Sequence, residues 1–177
     1  QGGPIDIFGV GERLITSKSD PVFGAVYKIA GVEKNGVWEP RIKISESVEK
    51  ITNPGFKKVY RVYNEKGRAI ADLLTLLEEV PDTTEPYRYI DPEQPWRELY
   101  FENCTFKEMK QLIIKDGKLL VELPTLDELR QYVKDQLETE IWPEEQRFEN
   151  PHRHYLDMSP GYYQMKMDLL NRIFRKK

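Results

Sequence analysis

Cysteine is almost missing from this chain: Cys104 is the one thiol in 177 residues. A lone cysteine closes no disulfide framework and cannot hold zinc without ligands from elsewhere, so nothing points to an oxidising compartment and cytoplasm is the default. No base stands beside it in sequence, and an inert buried thiol is expected. Long apolar runs are also absent. None approaches the roughly 18 residues that span a bilayer, so no membrane partner is expected. The first residues have neither a basic n-region nor an apolar h-region, which argues against a signal peptide. No G-x-S-x-G supports a nucleophilic serine. There are only two histidines, His152 and His154. H-x-H could place two imidazoles on one side of a strand, but no third ligand is suggested by spacing, so exposed or hydrogen-bonded rings and no metal site are expected.

What is present describes a globular chain, 39% hydrophobic and 32% charged, with net charge −3. The weak total hides two opposed blocks. Residues 41–68 hold eight Lys or Arg against three acids, whereas 78–102 hold eight acids against two bases. A pI of 5.6 argues against a nucleic-acid partner. The basic block suits a small anion.

Ile5 to Phe8 alternates apolar residues and runs into Gly9-Val10-Gly11, the pattern of a buried strand ending in a tight turn. A chain that opens on Gly2-Gly3-Pro4 and enters such a segment at once reads as a piece of a larger protein. A strand is expected within Phe23 to Val32, then turn residues Lys34-Asn35-Gly36 and a second strand over Arg41 to Ser45. Lys58 to Tyr63 and Ala69 to Leu77 flank the turn Asn64-Glu65-Lys66-Gly67, predicting a second hairpin. Residues 78–95 carry Pro81, Pro86, Pro92 and Pro95 among acids and predict a linker or long surface loop. Asp116-Gly117 joins Lys110–Lys115 to Lys118–Leu123 as a hairpin. Thr125 to Glu128 is a capping box opening a helix of about 13 residues, with Leu126, Leu129, Val133 and Leu137 on one face. Ser159-Pro160 starts a last helix whose apolar face is Tyr162, Leu169, Leu170, Ile173 and Phe174, with Arg175-Lys176-Lys177 at its negative pole.

Two segments could carry chemistry. Without Cβ atoms, the backbone at Gly9 and Gly11 can bend through positive φ and bring several N–H groups onto one phosphate. Taken alone, G-x-G is more commonly a structural turn. The second segment is Arg41 to Gly55, with Lys43 and Lys50 seven apart; it reads either as a solvated charged loop or as a grip on phosphate or pyrophosphate.

Ordered blocks carry a resemblance. Ile5-Asp6-Ile7-Phe8-Gly9-Val10-Gly11-Glu12-Arg13-Leu14-Ile15-Thr16, Gly24 to Lys28, Lys43 to Glu46, Glu49-Lys50 and Pro54-Gly55 come first. Val59-Tyr60-Arg61, Gly67 to Asp72, Gly117-Lys118, Glu122 to Leu126 and Tyr155 to Ser159 follow. In this order they resemble the nicotinate phosphoribosyltransferase family over nearly the whole chain.

The resemblance implies the C-terminal third or so of an enzyme that joins nicotinate to the ribose of phosphoribosyl pyrophosphate. Mg2+ and ATP are the implied cofactors, and a homodimer with the remainder of the same enzyme is the implied assembly. Gly9, Val10 and Gly11 fall where the family cradles the 5′-phosphate, and Lys43 and Lys50 fall where similar enzymes contact phosphate or pyrophosphate. Glu12 departs from the Thr of many relatives, and an acid beside a phosphate is repulsive unless it points outward or contacts a metal. A single cysteine cannot reproduce the zinc-binding cluster of some archaeal relatives. The family's phosphorylated histidine and nicotinate pocket correspond to neither His152 nor His154, so no catalytic residue is expected here. A nicotinamide-using relative, or a non-catalytic module that binds an anion or protein, is the alternative.

The expected fold is α+β as an isolated segment. Residues 1–33 would end an α/β barrel-like domain with its phosphate loop, and 34–80 would form β-hairpins with the basic loop. An acidic Pro-rich linker over 81–95 and a C-terminal α+β region over 96–177 complete the expectation.

Overall fold

The structure is a computed structural model of the chain that describes residues 4, 6–11, 26–46 and 50–175. Its core is a four-stranded sheet ordered β10-β4-β3-β7, built from β3 (Lys57–Tyr63), β4 (Ala69–Leu76), β7 (Thr105–Glu108) and β10 (Leu156–Met158). β3 pairs antiparallel with both β4 and β7, while β10 lies parallel to β4. Three two-stranded hairpins accompany it: β1 (Gly31–Lys34) with β2 (Val37–Pro40), β5 (Tyr87–Tyr89) with β6 (Leu99–Phe101), and β8 (Ile114–Lys115) with β9 (Lys118–Leu119). Helices α1 (Leu126–Thr139) and α2 (Pro160–Phe174) complete the described elements.

Alternation along β3 and β4 sends successive side chains to opposite faces and so produces two cores. Tyr60, Val62, Ala71 and Leu73 form one with Phe101, beneath Tyr87, Tyr89, Cys104 and Phe106. Leu74, Met158 and Tyr162 form the other, joining β4, β10 and α2. Each of these larger side chains contributes about 1.5–3 kcal/mol by leaving water.

Local chemistry accounts for the turns and caps. Asn35-Gly36 and Asp116-Gly117 both hold two consecutive positive φ values, 52° and 77° in the first and 51° and 73° in the second, which twist a two-residue turn to match its strands. Thr125 caps α1 with the full capping box, and Ser159 caps α2 with Pro160 at its first turn.

Several expectations need correction. Ile5 lies outside the described residues; residues 6–11 form no strand, and Ile7 and Phe8 are largely exposed, because no described strand offers them backbone partners or cover. Of the strand expected within Phe23 to Val32, residues 23–25 lie outside the described set, 26–30 are irregular, and strand begins only at Gly31. The strand placed over Arg41–Ser45 forms earlier, at Val37–Pro40, since a two-residue turn brings the chain into register at once and Pro40 then ends the donor ladder. The loop expected over 78–95 contains β5, and the buried Ile90 bridges to Met158. Pro86 and Pro92 bracket these residues without interrupting their pairing. The β8–β9 hairpin keeps its turn but pairs only two residues a side. The apolar face of α1 is exposed, and no α1 residue is buried.

Candidate functional site

Three backbone segments converge on the carbonyl of Ala30, which accepts both the Arg41 N–H at 2.8 Å and the Gly55 N–H at 2.6 Å. Gly55 has φ +87°, and a Cβ there would touch Met165 at 3.4 Å, so both backbone and packing favour glycine. Lys28 Nζ donates to the Lys50 carbonyl at 2.7 Å, and the Thr52 N–H donates to the Lys43 carbonyl at 3.3 Å. These contacts set segments 26–30, 41–46 and 50–55 side by side. Beside them opens a hollow of about 480 Å³ to which Lys28, Arg41 and Lys43 contribute, with Tyr27 and Ile29 as apolar wall. Arg41 is partly neutralised by Glu39. Among the described residues Lys43 makes no ion pair and is exposed.

The loop that follows is fastened from α2 and β3. Fully buried Tyr162 donates its phenol to the Pro54 carbonyl at 2.7 Å, and Lys166 Nζ donates to Asn53 Oδ1 at 2.8 Å. Lys57 Nζ donates to the Asn53 carbonyl at 2.8 Å, while Lys110 Nζ donates to the Lys57 carbonyl at 2.7 Å and sits over the Phe56 ring. Burial pushes the Lys166 ammonium below its usual range; burial, then the neighbouring Lys110, does the same to Lys57. Their acceptors here are neutral oxygens, so these cations leave a positive field around the loop instead of cancelling it. Such a surface favours phosphate oxygens.

Lys43 and Lys50 therefore lie on neighbouring irregular segments of one basic patch. Lys28, Lys57, Lys110 and Lys166 were not singled out by spacing, because they arrive from four other places in the chain. Gly9, Val10 and Gly11 are exposed. Neither glycine has positive φ, and a Cβ would meet open space at both. No hydrogen bond among the described residues links them to Lys43 or Lys50. Glu12, residues 47–49 of the basic loop, and Lys176-Lys177 lie outside the described residues.

A second polar cluster lies on the central sheet. Arg61 and Asp72 face each other across β3 and β4, with Arg61 Nε 2.9 Å from Oδ1. His154 Nε2 lies 3.4 Å from the same oxygen, near enough for charge attraction but outside hydrogen-bond geometry, and Nδ1 lies 3.3 Å from Glu145. Asp72 raises the His154 pKa, against burial and with help from Glu145. Burial would raise Asp72, yet His154 and Arg61 outweigh it and hold the carboxyl below its usual range. His152 packs instead against Tyr155. The two rings thus serve different partners, the hydrogen-bonded alternative for His154. Cys104 is half-buried against the first core, with Sγ donating to the Glu102 carbonyl, and burial raises its pKa.

Fold and site define an α+β unit that uses its C-terminal helix to hold a cationic loop in place. The profile of the family described as "Nicotinate phosphoribosyltransferase C-terminal domain" matches residues 56–166. The chain belongs to that family. It is 33% identical over 174 residues to the nicotinate phosphoribosyltransferase of Bacillus subtilis, covering 98% of this chain and 35% of the relative. With the enzyme of the same name from Caenorhabditis elegans it shares 34% over 164 residues, covering 90% and 28%. The chain thus spans about a third of the length of such relatives. The crystal structure of human nicotinic acid phosphoribosyltransferase superposes with a TM-score of 0.61 at 24% identity, covering 66% of this chain and 23% of that one, a likeness of fold.

Proposed function

We propose that the chain is the C-terminal part of a nicotinate phosphoribosyltransferase that transfers the ribosyl group of phosphoribosyl pyrophosphate to nicotinate, yielding nicotinate mononucleotide and pyrophosphate for NAD synthesis. The observation that carries this reading is the cationic loop, fastened by Tyr162 and Lys166, in a chain of this family. As the bond at the anomeric carbon breaks, positive charge grows on the sugar and negative charge on the departing pyrophosphate. Lys28, Arg41, Lys43 and Lys50 would bind the pyrophosphate of the substrate from fixed positions and keep hold of it as it departs.

Gly9 to Gly11 would hold the 5′-phosphate once a barrel-like catalytic domain supplies neighbours for residues 6–11. Such a domain would also cover the exposed Ile7 and Phe8. The hollow's own donors are cations and do not fit a metal ion, because they would repel it. Magnesium and ATP, like the homodimer and the cytoplasmic setting, are part of the proposal through the family resemblance. No described helix is long and apolar enough to cross a membrane.

In the complete enzyme, Lys43→Met or Lys50→Met should raise the KM for phosphoribosyl pyrophosphate about tenfold or more, the effect of one lost charge-assisted bond of about 1.5–3 kcal/mol. The KM for nicotinate should stay level. Gly9→Val and Gly11→Val should weaken the same substrate. An unchanged dependence on phosphoribosyl pyrophosphate in all four variants would remove both segments from the site, and turnover by residues 1–177 alone would refute the requirement for the rest of the enzyme.

A further inference from the structure

A second cavity, of about 500 Å³, lies where β4, β5, β6 and β10 meet. Two mutual backbone bonds between Ile90 and Met158, of 2.8 and 3.0 Å, bring the ends of β5 and β10 together and so place Asp91 beside Asp157. Asp157 is only 4% exposed, yet no described residue donates a hydrogen bond to its carboxylate, which borders the cavity. Among the side chains around it are three carboxylates, those of Asp91, Asp157 and Glu102, against one guanidinium. That guanidinium, Arg97, contacts Gln94 and pairs with no carboxylate among the described residues. Tyr89, stacked on Phe101 at 3.9 Å, supplies an aromatic floor.

A buried carboxylate without a partner is strongly disfavoured, and burial, then Asp91, raises the Asp157 pKa to about 7. The missing counterpart is a donor that carries positive charge and tolerates an aromatic wall. A metal ion fits poorly, since no three His, Cys, Asp or Glu side chains among the described residues converge to hold one.

We propose that this cavity binds an organic cation, an alkylammonium or guanidinium group, on Asp157 and Asp91. The group belongs either to a free small molecule or, resting on the proposed function, to a Lys or Arg of the remainder of the complete enzyme. The occupied site holds Asp157 ionised, so binding expels a proton near neutrality. Other titratable or charged groups around the cavity are Tyr89 on β5, Arg97, Glu102 and Cys104 around β6, and Tyr155 before β10, and His154 is close enough to act on Asp157 through its charge. Of these, His154 gains positive charge as pH falls and so weakens cation binding in the same direction as Asp157.

The test is calorimetric titration of the complete protein with butylguanidinium chloride and, as neutral isostere, butylurea. For a free ligand, butylguanidinium binds saturably and butylurea does not. Binding is then about tenfold tighter at pH 8 than at pH 6, the ratio set by a group titrating near 7. Asp157→Asn weakens it at least tenfold, and Asp91→Asn weakens it less. For a side chain of the same protein, butylguanidinium gives no heat and Asp157→Asn or Asp91→Asn lowers the Tm. Absence of binding together with an unchanged or raised Tm in both variants overturns the proposal, as does equal binding of butylurea. Should Asp157→Asn fail to fold, Asp91→Asn and the pH dependence decide.

Discussion

Tyr162→Phe isolates the link between α2 and the basic loop. The substitution keeps the ring that packs with Leu74 and Met158 and deletes only the donor to the Pro54 carbonyl. Burial raises the phenol's pKa, so it remains a proton donor at working pH. Both Tyr162 and Pro54 are fully buried, so water cannot replace the lost bond. The cost is then the net bond together with a desolvated carbonyl, about 1–3 kcal/mol. For a unit of this size each kcal/mol moves Tm by about 2–4 °C, and by less in the longer complete enzyme, so a fall of about 2–5 °C is expected. Freed from Pro54, the segment carrying Lys50 must be ordered by substrate, and the KM for phosphoribosyl pyrophosphate should rise severalfold with less change in kcat. Thermal melts and initial rates on the complete enzyme measure both. Lys166→Met removes the adjacent tie to Asn53, and because both ties hold one loop, the double variant should show a coupling of about 0.5 kcal/mol or more. An unchanged Tm with an unchanged KM would refute the anchoring argument; a lowered Tm with an unchanged KM would leave Tyr162 a structural anchor with no bearing on the site.

His154 makes stability depend on pH with a definite sign. Its pKa is raised on folding, so its contribution is fully present below about 6.5 and is lost as pH climbs through the folded value; His154→Gln should flatten denaturant-unfolding stability in that interval. Asp72, held low, contributes above about 3.9 and loses its contribution as pH falls through its folded value, so Asp72→Asn should flatten the acid side. Gly161→Ala would drive a Cβ into the Glu79 carboxylate, which Ser159 Oγ and the Leu76 N–H already pin. A loss of about 1–3 kcal/mol is expected by chemical denaturation, and a neutral result would mean that Glu79 moves freely.

Where structure follows from near neighbours, the sequence was sufficient. The Asn35-Gly36 and Asp116-Gly117 turns, the β3–β4 hairpin and the caps at Thr125 and Ser159 all rest on φ preferences or hydrogen bonds spanning a few residues. β10 gave no usable signal: three residues cannot display a period, and its place beside β4 is secured by Leu74, Ile90 and Met158 from distant parts of the chain. α1 shows the converse, since its amphipathic pattern specified a helix without specifying anything for the apolar face to meet.

The candidate site divides along the same line. The sequence by itself determined that the Arg41–Gly55 segment is basic and, through its ordered blocks, which family the chain belongs to, because residue order and charge need no coordinates. Tertiary structure alone decided that Lys57, Lys110 and Lys166 reinforce that segment, that Tyr162 holds it, and that Asp91 sits beside Asp157 at a cavity. Those pairings join residues as many as 113 positions apart. They depend on which faces of β4, β10 and α2 come together, and burial selects those faces only when the whole sheet has formed.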